Sequence, residues 1–111
     1  LTYVKFYGIL LETIEKGMTM RFEIYHAKNP TFGFGEKPKF PEDYEKVAKV
    51  ECDDLCDVFT LTNHIESEWT KNPEILELCG MKTRYRSTSV GDVVVDGDKK
   101  YICESVGWSM I

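Results

Sequence analysis

Several stretches of this chain place apolar residues at every second position, and that period is the mark of half-buried β-strands. From Met20 to Ala27, Phe22, Ile24 and His26 alternate with Arg21, Glu23 and Tyr25, the pattern of a strand with one face buried and the other wet. Glu45 to Cys52 alternates again about Val47. A later β region runs from Asp92 to Val95, turns at Asp96, Gly97 and Asp98, continues from Lys99 to Glu104, and ends in a short strand near Trp108 to Ile111. Between the first two strands, Lys28 to Tyr44 carries three of the four prolines together with Gly33 and Gly35. A loop of that length is seldom kept in a compact domain without a reason, and such loops are often functional.

Two segments carry helical signals. Asp53 and Asp54 offer N-cap oxygens, and Leu55, Val58, Phe59 and Thr62 repeat at three and four residues, which predicts a helix from Asp54 to about Asn63. Asn72, Pro73 and Gly80 read as cap, first turn and C′ residue of a second short helix from Pro73 to Cys79, with Ile75, Leu76 and Leu78 as its apolar side. The expected fold is α+β: one domain over residues 20–111, with a mainly antiparallel sheet of about four or five strands and two helices packed on one side.

Leu, Ile, Val and Phe together number 29 of 111 residues, enough to build a core and to exclude disorder over most of the chain. The longest apolar stretch is far too short to cross a bilayer, and the first residues lack the pattern of a secretory signal. The expectation is a cytoplasmic protein with no membrane contact. Fourteen Lys and Arg against nineteen Asp and Glu give a net charge of −5, which weighs against wholesale nucleic-acid binding. Residues 1–19 read in two ways. Glu15, Lys16 and Gly17 have purine-rich codons that resemble a ribosome-binding site ahead of a start at Met18 or Met20, which would make the segment a non-native leader. Otherwise Thr2 to Leu11 is an extra N-terminal strand with a turn at Gly17.

Several residues invite a chemical reading. Cys52, Cys56, Cys79 and Cys103 include only one close pair, so a zinc site lacks its second knuckle and free, partly buried thiols are expected. No cofactor is expected. His26 lies on the alternating face of a strand and His64 at a helix end, with no nucleophile signature near either. Phe32 and Phe34, set among glycines, match neither a phosphate loop nor an RNA-binding strand and suggest an adaptable apolar contact surface or rings tucked onto the core. In an extended segment Arg84 and Arg86 point to one side, a forked-donor site for a carboxylate or phosphate unless they pair internally with the acidic run from Glu42 to Asp57. Trp69 is of the residue type that anchors interfaces.

The run Arg86, Ser87, Thr88, Ser89, Val90, Gly91, Asp92, Val93, Val94, Val95, followed by Val106, Gly107 and Trp108, resembles a module of short proteins from tailed phages and mobile elements, including the YodL-like proteins. The resemblance extends to Phe34–Tyr44 and Leu61–Trp69 and implies no activity. Physically the run describes the lead into a buried strand, with Ser87 and Ser89 bonding nearby backbone, Gly91 and Asp92 making the turn, and the three valines filling both faces. The expected function is an accessory protein-interaction module of phage or mobile-element origin, gripping a protein partner through Phe32, Phe34, Trp69, Arg84 and Arg86. The alternatives are an enzyme with a His/Cys/Arg pocket and a nucleic-acid binder acting through Lys82, Arg84 and Arg86.

Overall fold

The computed structural model describes residues 20–65, 67–80, 82 and 84–111; both readings of residues 1–19 lie outside the described residues. Among the described residues six strands form one antiparallel sheet: β1 (Met20–Ala27), β2 (Tyr44–Cys52), β3 (Ile75–Leu78), β4 (Val93–Asp96), β5 (Lys99–Cys103) and β6 (Trp108–Met110), in the spatial order β3-β2-β1-β4-β5-β6. A single α-helix among the described residues, α1 (Leu55–Leu61), follows β2, and a 3₁₀ turn covers Trp69–Lys71. The fold is therefore mostly sheet, and the expectation of two helices on four or five strands is corrected.

The predicted helix at Pro73–Cys79 is strand β3. The segment lies against the open edge of β2, where pairing satisfies its backbone groups and those of β2 together, and it pairs Glu77 with Lys49 and Leu78 with Ala48. The Cys79 N–H donates to the Val47 carbonyl at 2.8 Å, and the Glu51 N–H to the Glu74 carbonyl at 3.0 Å. Asn72, expected to cap that helix, instead donates its side-chain amide to the Leu61 carbonyl at 2.8 Å and closes the end of α1. The first helix forms where its spacing places it, with Asp54 accepting from the Asp57 N–H at 3.1 Å as N-cap.

Each sheet face has its own core. Phe22, Ile24, Val50 and Val94 pack beneath α1 and the 3₁₀ turn, against Val58 and Trp69. On the opposite face Ala27, Tyr44, Val93 and Val95 are covered by Tyr25, Phe40 and Ile102. The proline-containing loop supplies that second cover, since Phe40 meets Tyr25 edge-on at 5.1 Å and Tyr44 at 5.3 Å. Val93 and Val94 are both fully buried, one toward each core. At the loop tip the Phe34 N–H donates to the Thr31 carbonyl at 2.9 Å, closing a turn whose central residues, Phe32 (φ 53°) and Gly33 (φ 89°), are both left-handed. Gly33 takes that conformation freely. Phe32, a bulky residue, holds it at a cost of about 1–2 kcal/mol.

Ile24 is fully buried at the centre of the sheet, so Ile24→Ala is expected to destabilise by roughly 2–5 kcal/mol. Leu76→Ala on the exposed side of β3 should stay within about 0.5 kcal/mol of the parent. Urea unfolding of both variants checks the pair.

Candidate functional site

The polar centre of the molecule lies where β1 ends and β4 begins. Asp92, 1% exposed, accepts four hydrogen bonds. Arg86 Nη1 and Nη2 approach its two oxygens at 2.7 and 2.8 Å, and the backbone N–H groups of Ala27 and Ser89 donate at 2.9 and 2.7 Å. The fork geometry of guanidinium on carboxylate fixes both groups. Arg86 also donates to the Ala27 carbonyl at 3.1 Å and to the Ser87 carbonyl at 3.0 Å. Its own carbonyl accepts from Trp69 Nε1 at 2.9 Å. Around this knot the Tyr44 hydroxyl donates to the Gly91 carbonyl, the Thr88 N–H to the Thr62 carbonyl, and the Cys103 N–H to the Asp92 carbonyl. The Arg86-to-Asp92 run thus joins β1, β4, β5 and the end of α1.

Beside the knot, His26 is buried with Nε2 at 2.9 Å from Thr88 Oγ1 and 3.9 Å from Asp92 Oδ2. Burial pushes its pKa from 6.5 down to about 4, with Arg86 and Lys82 adding to the shift and Asp92 and Glu45 opposing it. His26 is therefore neutral at pH 7 and forms no ion pair with Asp92 there. His64 uses both ring nitrogens: Nε2 donates to the Tyr85 carbonyl at 2.9 Å and Nδ1 accepts from the Trp69 N–H at 3.3 Å. Burial also pushes the Cys52 and Cys103 thiols up to about 11, leaving both protonated and unreactive at neutral pH. All four cysteines are free thiols, and no cluster of three or more His, Cys, Asp or Glu among the described residues is placed to hold a metal.

Two concavities flank the knot. A cleft of about 690 Å³ is lined by His26, Lys28, His64, Lys82, Arg84 and Arg86, among others. A groove of about 670 Å³ lies between the loop tip and β5–β6, lined mainly by apolar side chains that include Phe32, Phe34, Val90, Ile102 and Met110. The residues singled out from the sequence are divided among these places. Phe32 (51% exposed) and Phe34 (79%) flank the groove, while Arg84 is exposed on the cleft. Trp69 is fully buried, which is the position of a core residue. Arg86 belongs to the knot, with Asp92 as its partner rather than the acidic run from Glu42 to Asp57. Lys82 pairs with Glu45, inside that run, at 2.8 Å. The cleft brings His64 together with Arg84 and Arg86, but no cysteine lines it.

Asp92 and Tyr44 carry much of this arrangement and were not singled out by sequence reasoning. Asp92 lies six residues from Arg86, roughly 20 Å away along an extended strand and not at the i+3 or i+4 spacing of helix neighbours, so the spacing does not announce a contact. Its place after Gly91 reads as a turn residue. No protein-family model matches the chain, nor does any curated protein or solved structure. No helix among the described residues is long and apolar enough to cross a membrane.

Arg86→Met leaves the buried Asp92 carboxylate without its counter-charge and is expected to cost about 3–5 kcal/mol. Adding Asp92→Asn in that background should recover at least about 1 kcal/mol, because a neutral amide bears burial better. Urea unfolding of the four proteins of this double-mutant cycle gives both values. His26 predicts a pH dependence. Its folded pKa of about 4 lies below the unfolded 6.5, so the unfolded chain binds the extra proton first. Stability is then fully present above pH 6.5 and falls as the pH drops toward 4, by roughly 3 kcal/mol in all. Urea melts from pH 7.5 to 4.5 should show that slope, and His26→Gln should remove its share. A parent curve flat across the range overturns the assignment.

Proposed function

We propose that this chain is a small protein-interaction module that receives an extended, apolar segment of a partner protein in the groove between the Phe32–Phe34 turn and β6. The observation that carries this reading is Phe32. A bulky aromatic residue is held left-handed and half exposed at the groove, and backbone strain of this kind collects where a side chain serves binding rather than packing. Phe34, Met110 and Ile111, all more than half exposed, line the same groove. Rigid aromatic side chains are the usual anchors of such contacts.

Strand addition is the mode of recognition that suits the site. Among the described residues β6 is an edge strand bonded to β5 alone. The Ile111 N–H donates inward to the Lys100 carbonyl, and the Gly107 carbonyl accepts inward from the Glu104 N–H. By the alternation of an antiparallel ladder, Trp108 and Met110 then present their backbone groups to the open edge. A guest strand takes main-chain hydrogen bonds there while alternate side chains enter the groove. The origin in a phage or mobile element belongs to the same proposal and is supported by the Arg86–Val95 run alone.

Peptides selected from a random displayed library against the full chain are expected to share apolar residues two positions apart. Phe34→Ser and Met110→Ser should each weaken them about tenfold or more. Phe32→Gly should weaken them as well while leaving stability equal or up to about 1 kcal/mol higher, because the left-handed strain is relieved. Selected peptides that bind all three variants as tightly as the parent sink the proposal.

A further inference from the structure

The cleft on the other side of the knot holds positive charge that no side chain among the described residues compensates. Four cationic side chains line it, and two of them have internal partners: Arg86 on Asp92 and Lys82 on Glu45. Of the carboxylates on its wall among the described residues, Glu45 is thereby neutralised, and Glu68 pairs with Lys71 at 3.8 Å. Lys28 and Arg84 are left. The Lys28 ammonium reaches only the Glu42 carbonyl, at 3.4 Å, and Arg84 has no ion pair among the described residues. Two unneutralised cations around one concavity repel each other unless a counter-charge lies between them. They do so in a protein whose net charge is −5.

A second observation comes from His26. Its side chain lines the cleft and is 3% exposed. One ring nitrogen, Nε2, is committed to Thr88, and Nδ1 has no hydrogen-bond partner among the described residues. Buried polar atoms in native proteins are almost always satisfied, so an open one beside a cavity marks the place of a ligand or an ordered water.

We infer that the cleft binds a small molecule bearing a phosphate group, with the dianion between Lys28 and Arg84 and a hydrogen bond to His26. A phosphate suits the site better than a carboxylate because it carries two charges against two open cations and offers three acceptor oxygens. A guanidinium fork and a mobile ammonium are the pair of donors that such a group takes. The cleft volume falls within the range of small-molecule sites. A nucleic-acid strand suits it less, because Glu45 and Glu68 lie on its wall and the whole chain is acidic. This inference is independent of the groove and of the interaction reading.

The test is a titration of the full, isotope-labelled chain with inorganic phosphate at pH 7.5, followed by NMR, with acetate at matched ionic strength and a short single-stranded DNA run in parallel. The expected result is saturable one-to-one binding with shifts at Lys28, His26, His64 and Arg84–Ser87, including the His26 ring nitrogens. Lys28→Ala and Arg84→Ala should each raise Kd roughly five- to tenfold, with Arg84→Lys falling between Arg84→Ala and the parent. Both side chains are exposed, so the melting temperatures should not move. Lys99→Ala, at the start of β5, should leave the affinity unchanged. Acetate binding as tightly as phosphate, a non-saturating response, unaltered affinity in Lys28→Ala and Arg84→Ala, or binding of the DNA without phosphate would each overturn the inference.

Discussion

One carboxylate, almost sealed from water, holds distant parts of this chain in register. Asp92 gathers the end of β1 through the Ala27 N–H, its own turn through the Ser89 N–H, and the segment after β3 through the Arg86 guanidinium. Arg86 returns to the Ala27 carbonyl, so both backbone groups of Ala27 are tied to the same pair. A buried ion pair of this kind adds little net stability over a well-packed apolar substitute, yet removing one partner is costly. Its main effect is therefore to specify one arrangement. β1 and β4 are the two middle strands of the sheet, and the pair fixes how they meet.

From that junction the molecule divides its aromatic residues by task. Trp69 packs with Tyr85 and His26 on the helical side and gives its indole N–H to the Arg86 carbonyl. Phe40, Tyr25 and Tyr44 form a smaller cluster under the long loop. That inner cluster anchors the loop. Phe32 and Phe34, earlier in the same loop, are carried outward by the left-handed turn. One connection thus serves both as the cover of the second core and as the support of an exposed surface.

The sequence made some of this legible and concealed the rest for definite physical reasons. Strands β1 and β2 were readable because half-buried strands impose alternation directly, and α1 because Asp54 and the apolar spacing agree. The segment from Pro73 to Cys79 misled because cap residues do not name the helix they cap: Asn72 closes α1 from eleven residues away. Strand β3 follows from the open edge of β2, a tertiary fact without a local signature. Trp69 looked like an anchor by residue type, but burial depends on what covers a position. The Arg86–Asp92 pair was concealed by its spacing, and the cleft depends on it, since an Arg86 bound elsewhere would have left a different set of free charges on that wall.

The central place of β1 also governs the order in which the sheet can be assembled. Ile24 pairs with Ala48 on one side and with Val94 on the other, seventy positions farther along the chain. During synthesis β2 can join β1 early, but the opposite edge of β1 has no native partner until Val93–Val95 have been made. Through that interval the nascent sheet exposes an unpaired edge beside Phe22 and Ile24, the kind of template on which chains misassociate. The middle of this sheet is therefore the part that translation completes late.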